Sequence, residues 1–377
     1  MTPFDALPPL DANARAIVIV PARDEAAFVA RALRALDAQR ESFETIVFAN
    51  GCRDATAERA RAFARTAAHP VHVVEADLPG GTVGEARKML MDAAAGRFRR
   101  AGSDGWIAST DADTRVTPDW LAATLREAAA GADAVMGEVD VRARDLATLP
   151  AGASRLYVWD RTYRRAFAHA EAVLDPVPWD PAPRHRLTYA ASLAVRASVY
   201  ERAGGLPPLA RGEDAAFAAA LARLDARVRH ARSVRVFTSP RADGRVAGGF
   251  SQLVRLLHGV PGPEQWLVEA PEATLRRIRA RAALRRFHAS GGAAGGAAYR
   301  SVLGAFGLDV AAFAALYDPG ATFGANAERV EDAAARHGAY AGYGRVPVAR
   351  AVAVLQAAAG AAVSRSAMRA SVASGAG

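Results

Sequence analysis

Short apolar, β-branched runs, each followed by a segment of helix length, recur through the first two thirds of the chain and restrict it to an α/β fold. The first, Ala16-Ile17-Val18-Ile19-Val20, offers no polar residue to solvent and stops at Pro21, the pattern of a strand covered on both faces. Thr45-Ile46-Val47-Phe48, Val71-His72-Val73-Val74, Trp106-Ile107-Ala108-Ser109, Ala134-Val135-Met136 and Val234-Arg235-Val236-Phe237 repeat the signal. Between them, Asp24-Glu25 opens a helix with Val29, Leu33 and Leu36 on one face, and Gly84–Ala94 and Pro118–Ala129 read as further helices. Tyr189–Val195 adds a strand and Ala215–Leu224 a helix, and from Gly248 onward the sequence is helical. Strands alternating with helices predict a doubly wound, mostly parallel sheet with helices on both faces and ligands at the carboxyl ends of its strands.

The polar motifs fall at those ends. Thr110-Asp111-Ala112-Asp113 puts two carboxylates two residues apart after the fourth run. Residues i and i+2 of an extended segment share a face, and hard divalent ions take oxygen ligands, so the pair suits a cation. A solvated turn before the helix at Pro118 uses the same residue types. Arg23-Asp24-Glu25 follows the first run and Asn50-Gly51-Cys52-Arg53-Asp54 the second. Arg87 and Lys88 lie near a helix start, where a cation serves a phosphate better than the macrodipole. Gly212-Glu213-Asp214 opens a helix, where a carboxylate serves as cap, as catalytic base, or as both.

Composition narrows the partners. The net charge of +9 over 377 residues invites a nucleic-acid reading, but Lys88 is the only lysine and the arginines are scattered without a recognition motif. No nucleic-acid partner is expected. Cys52 is the sole cysteine, which excludes an intramolecular disulfide, and Met1–Ala14 has no apolar core of leader length; both favour a cytoplasmic protein. No run reaches the roughly 18–20 apolar residues of a membrane span, so no transmembrane segment is expected. Six arginines (Arg276, Arg277, Arg279, Arg281, Arg285, Arg286) crowd one predicted helix and surround its axis. Leu275, Ile278, Leu284 and Phe287 then form no single stripe, a poor pattern for a deeply buried helix. Packing by the arginine stems is one reading; an anionic acceptor, or peripheral contact with an anionic membrane, is the other.

Taken together, these pieces resemble the family 2 glycosyltransferases, which have the nucleotide-sugar-binding GT-A fold, over roughly residues 15–258. Ile19-Val20-Pro21-Ala22-Arg23-Asp24-Glu25 looks like the opening strand and acidic turn, and Asn50-Gly51-Cys52-Arg53-Asp54-Ala55-Thr56 is similar to the family's Asp-Gly-Ser-x-Asp-x-Thr loop, with Asn50 in place of the aspartate. Gly84-Glu85-Ala86-Arg87 looks like the Gly-x-Ala-Arg helix start, and Thr110-Asp111-Ala112-Asp113 like the metal motif. Tyr189–Arg196 with Gly204-Gly205-Leu206 is similar to the acceptor-side strand and turn, and Gly212-Glu213-Asp214 to the segment carrying the catalytic base.

The resemblance implies a metal-dependent, inverting transfer of a sugar from a nucleotide-sugar donor to a hydroxyl acceptor. Asp113 would hold Mg²⁺ or Mn²⁺, with Asp111 at the ribose or an ion-bound water. A histidine flanking the last strand, His258 in preference to His230, would complete the metal site. Pro21, Ala22, Arg23, Glu25, Asn50, Arg87, Asp111 and Arg241 would face the donor, and Asp214, beside Glu213, would be the general base. The implied domains are a GT-A unit at 1–258 (nucleotide-sugar half about 15–140, acceptor half about 141–258), a helical extension at 259–365 and a disordered tail at 366–377. Two alternatives compete. A nucleotidyltransferase on a related sheet would want a glycine-rich loop, which Pro21–Glu25 lacks. A non-catalytic nucleotide-sugar-binding protein of degenerate transferase fold would have little use for Asp111, Asp113 and Asp214 together.

Overall fold

Strand β1 (Ala16–Ala22) sits at the middle of the architecture because both of its faces are apolar. Ile17 and Ile19 point into one buried cluster, and Ala16, Val18 and Val20 into another. That period of two, with both phases hydrophobic, demands a helical layer on each side. In the computed structural model, which describes residues 2–78, 81–241, 250–260 and 262–374 (backbone alone at 250, 258 and 366–374), both layers are present.

The elements follow as α1 (Val29–Asp37), β2 (Phe43–Asn50), α2 (Thr56–Ala64), β3 (Val71–Ala76), α3 (Val83–Arg100), β4 (Trp106–Ser109), β5 (Arg115–Val116), α4 (Trp120–Ala129), β6 (Ala134–Asp140), α5 (Ala143–Leu146) and α6 (Ala151–Leu174). Then come β7 (Leu193–Arg196), α7 (Ala197–Arg202), α8 (Glu213–Arg223), β8 (Val228–Phe237) and α9 (Phe250–His258). The C-terminal part adds β9 (Leu267–Glu269), α10 (Pro271–Ala289), α11 (Ala297–Phe306), α12 (Val310–Leu316), α13 (Phe323–Arg336), β10 (Arg345–Pro347) and α14 (Val348–Ser374). The sheet order is β3-β2-β1-β4-β7-β6-β8-β5. Neighbours pair in parallel at β2–β3, β1–β2, β1–β4 and β6–β8, while β7 runs antiparallel between β4 and β6. This is the expected mostly parallel sheet, with β7 and the short edge strand β5, which pairs with β8, as its antiparallel members. Consequently β1, β2, β4, β6 and β8 all end on one edge, where the polar motifs emerge.

By contacts the chain forms two compact units: Met1–Leu149 with Leu187–Leu221 and Ala226–Arg255, and Pro150–Arg186 with Ala222–Asp225 and Leu256–Gly377. In the first, α3 lays Leu90, Met91, Ala94 and Phe98 on one face of the sheet, and α1 and α4 lay Leu33, Leu36, Trp120 and Leu121 on the other. In the second, α6 packs along α14, so a helix read from sequence as acceptor-side shares a core with the C-terminal helices through Ala166, Ala170, Leu355 and Ala359.

Several expectations need correction. The helix after β1 starts at Val29, not at Asp24-Glu25. Asp24 takes φ 48°, and the Glu25 carbonyl accepts from the Phe28 and Val29 N–H groups, which makes the segment a turn. The strand expected at Tyr189–Val195 is a single 3₁₀ turn followed by β7. His230 lies inside β8, opposite Met136, rather than beside a strand.

Helix α10 is more buried than its arginine pattern suggested. Its small residues Ala273, Ala280, Ala282 and Ala283 fill the gaps between Leu275, Ile278, Leu284 and Phe287. Arg281 and Arg285 find Glu331 and Asp175 at 3.0 and 2.8 Å, and Arg277 pairs with Glu269, so half of the expected cationic face is neutralised inside the unit. Helix α14 also runs on to Ser374 through the stretch expected to be disordered, since nothing after Gly360 breaks its alanine-rich repeat; residues 375–377 lie outside the description. Among the described residues no single helix is long and apolar enough to cross a membrane.

Candidate active site

The edge formed by the ends of β1, β2, β4 and β8 gathers most of the sequence-predicted residues. The chain leaves β4 through Thr110, whose N–H donates to the Ile19 carbonyl, so Asp111 and Asp113 project from a backbone still tied to β1. The two carboxylates find different partners. Asp111 accepts from Arg87 Nη2 at 2.7 Å, whereas Asp113 lies 3.1 Å from Arg241 Nη2. Arg241 also makes a fork to Glu25, with Nη1–Oε2 at 3.0 Å and a second, shorter contact from Nη2 to Oε1. Three carboxylates thus share two guanidiniums. Burial, then the nearby Asp111 and Glu25 charges, push Asp113 up to about 6 against the opposing pull of Arg241.

Arg87 has a structural reason for its place. Thr82 and Glu85 form a capping box at the start of α3, which fixes the first turn and turns Arg87 inward. Its side chain is 3 % exposed and bridges Asp111 to Glu213 at 3.4 Å, with Nε buried and lacking a hydrogen-bond partner among the described residues. Burial raises the Glu213 carboxyl above its ordinary range, opposed by the Arg87 charge. Arg87 therefore ties the end of β4 to the start of α8, where Asp214 sits. The Asp214 carboxylate is oriented by the Ala215 N–H at 2.7 Å and, more weakly, by the Ala190 N–H at 3.4 Å. Lys88 faces away and pairs with Asp92 at 2.8 Å.

Gly84 explains the tight approach of α3 to the segment before α8. A Cβ there would meet the Leu209 carbonyl oxygen at 2.0 Å, so only glycine lets the loop toward Glu213 pass so close.

The remaining predicted residues lie in the loops after β1 and β2. Asn50 is buried and its Oδ1 accepts from the Leu78 N–H at 3.0 Å, while Arg23 Nη1 donates to the Gly81 carbonyl at 2.9 Å. Pro21 and Ala22 are ladder residues opposite Phe48 and Ala49. Asp24, Cys52 and Asp54 cluster closely enough to suggest a second metal site. Their oxygens are already engaged, Asp24 with the Arg53 N–H and Asp54 with the Ala26 and Thr56 N–H groups, so the cluster locks the two loops together. The His258 side chain lies outside the described residues.

Sequence reasoning missed a cavity of about 300 Å³ on the far side of Asp113, lined by Phe28, Arg31, Arg115, Asp145, Phe237 and Arg241 among others. The available signal was positional. Arg115 follows the Asp-x-Asp pair by two residues, and Arg142 leaves the end of β6, so both emerge at the edge that gathers the polar motifs.

Residues 17–176 match the model of the family described as Glycosyl transferase family 2. That matched stretch is a family 2 glycosyltransferase domain of GT-A fold, an enzyme class. It is similar in structure to the mannosyltransferase PcManGT from Pyrobaculum calidifontis in complex with GDP-Man and Mn²⁺, at 19% identity and TM-score 0.45, over 97% of this chain and 90% of that one. It is also similar to S. aureus TarS 1-349 in complex with UDP-GlcNAc (18% identity, TM-score 0.42, 78% and 80% covered). A third similar structure is glucosyl-3-phosphoglycerate synthase from Mycobacterium tuberculosis with Mn²⁺, UDP and glucosyl-3-phosphoglycerate (17%, TM-score 0.40, 68% and 85%). No curated protein matches the chain.

Proposed function

We propose that this protein transfers a sugar from a nucleotide-sugar donor to a hydroxyl acceptor with inversion, using a divalent cation at Asp113 and Asp111 and Asp214 as general base. One observation carries the reading: Asp111 at the end of β4 is joined through the buried Arg87 to Glu213, the chain neighbour of Asp214, so one guanidinium links the segment of the candidate cation ligands to the segment of the candidate base. The residues fit a hard cation. Asp113 is a largely buried carboxylate with two more carboxylates for neighbours, and positive charge there would offset the burial and the repulsion that raise its pKa. When bound, Mg²⁺ or Mn²⁺ supplies electrostatic neutralisation of a leaving diphosphate.

The chain's own residues do the rest. Asp111 and Asp113 present oxygens at the sheet edge, and Arg87 fixes Asp111 and holds Glu213 in place. Asp214, held through Ala215 and Ala190, takes the proton of the acceptor hydroxyl as that oxygen attacks. Arg241, now on Asp113 and Glu25, is placed to turn toward a diphosphate. Asn50 and Arg23, at the loops after β2 and β1, serve the nucleoside side, where an amide both donates and accepts. The test is donor hydrolysis and transfer by the full chain with Mn²⁺, with chelator, and with Asp113→Asn. Metal-dependent turnover lost in Asp113→Asn supports the reading; turnover unchanged by chelator and by the substitution refutes it.

A further inference from the structure

The cavity beside Asp113 is not needed for the reaction just described. Asn50, Arg87, Asp111, Glu213 and Asp214 are absent from its lining, and it shares only Asp113 and Arg241 with the candidate active site. It lies at the β8–β5 end of the sheet, against α1, whereas Arg87 and Asp214 belong to α3 and α8 on the opposite face. Its charge is unbalanced. Arg31 and Arg115 line it, Arg142 stacks on the lining ring of Phe237 at 5.1 Å, and Arg144 stands near Arg115. Against these four guanidiniums stands Asp145, 3.6 Å from Arg115 and 3.7 Å from Arg144, while the other two charged lining residues, Asp113 and Arg241, pair with each other at 3.1 Å.

Like charges crowd together at a cost unless an anion joins them. The Nε of Arg142 is buried and has no hydrogen-bond partner among the described residues. The guanidinium planes are also pre-positioned: Arg31 and Arg241 both lie over the Phe28 ring, at 5.5 and 5.3 Å. Thr148, Thr238 and Ser239 add hydroxyl groups to the wall.

We propose that this cavity is a second ligand site, which takes the phosphate group of a small phosphorylated molecule on Arg31 and Arg115, with the Arg142 charge beside them. Planar guanidiniums match phosphate oxygens in pairs, and the volume is that of a small-molecule pocket.

The test is calorimetric titration of the full chain with inorganic phosphate and with glycerol phosphate, without metal or nucleotide. Working in that medium separates the result from the transfer reading, which can fail while this site binds, and the reverse. Arg31→Gln and Arg115→Gln should each weaken both ligands about tenfold or more, the loss expected of a charge-assisted bond. Arg99→Gln, which removes an exposed arginine elsewhere, should leave both titrations unchanged. Arg31 is exposed, so its variant keeps the fold even if the Arg115 variant does not. Absence of binding by wild type, equal binding by wild type and Arg31→Gln, or a comparable loss in Arg99→Gln overturns the proposal.

Discussion

Glu44 breaks the apolar rule of the sheet. It sits in β2, whose residues are all buried, and meets Arg97 of α3 at 2.5 Å, with both side chains about 3 % exposed. The Asp11 N–H donates to its other oxygen at 2.9 Å, and Arg97 Nη1 donates to the Pro8 carbonyl at 2.7 Å. Burial alone would raise the Glu44 pKa, but bonds from His72, the Asp11 N–H and Arg97 outweigh it and hold the carboxyl at about 2, against 4.5 for the free group. At 1.36 kcal/mol per unit the difference is worth about 3 kcal/mol. The folded pKa is depressed, so this stability is complete above the unfolded pKa and is lost as pH falls through the folded one. The loss accrues at about 1.4 kcal/mol per pH unit, so roughly 2 kcal/mol of it appears between pH 4.5 and 3.

Hydrogen exchange of the β2 amides reads this unit directly. Wild type and Glu44→Gln should differ most near neutral pH, with the gap narrowing by about 2 kcal/mol from pH 4.5 to 3. A gap that stays constant over that interval refutes the assignment. Arg97→Met alone should cost about 3–5 kcal/mol by stranding a buried charge, and Glu44→Leu with Arg97→Met should recover much of it.

Three further outcomes are expected. Asp113→Asn should abolish Mn²⁺-dependent stabilisation by donor in a thermal-shift assay while leaving the far-ultraviolet circular dichroism unchanged. Asp214→Asn should bind donor normally yet turn over about 10²–10⁴-fold more slowly, and the wild-type product should carry inverted anomeric configuration by NMR. Gly84→Ala should destabilise the first unit by about 1–3 kcal/mol in urea and slow transfer as well, because the backbone of Leu209 must move and the start of α8 follows it.

The sequence by itself determined the layered sheet and the edge where the polar motifs gather. Ala16–Val20 is apolar in both phases of its alternation, and such a strand has no stable place except between two helical layers. The motifs at Arg23–Glu25, Asn50–Asp54 and Asp111–Asp113 end strands that pair in parallel, so their convergence follows from that pattern. Charge partners were another matter. Asp113 meets Arg241 across 128 positions of sequence, and Arg241 meets Glu25 across 216. Local periodicity holds no trace of which distant side chain neutralises which.

The same limit hid the arginine cavity, whose walls come from α1, β5, the segment after β6 and the end of β8. It also misled the reading of α10. Its arginines surround the axis in projection, but Glu269, Glu331 and Asp175 arrive from three separate segments to neutralise them, and alanines close the space between. A helix can be buried with cations on every side when tertiary folding supplies a carboxylate for each buried one. Periodicity reports which faces are apolar; only the folded chain decides which polar groups meet.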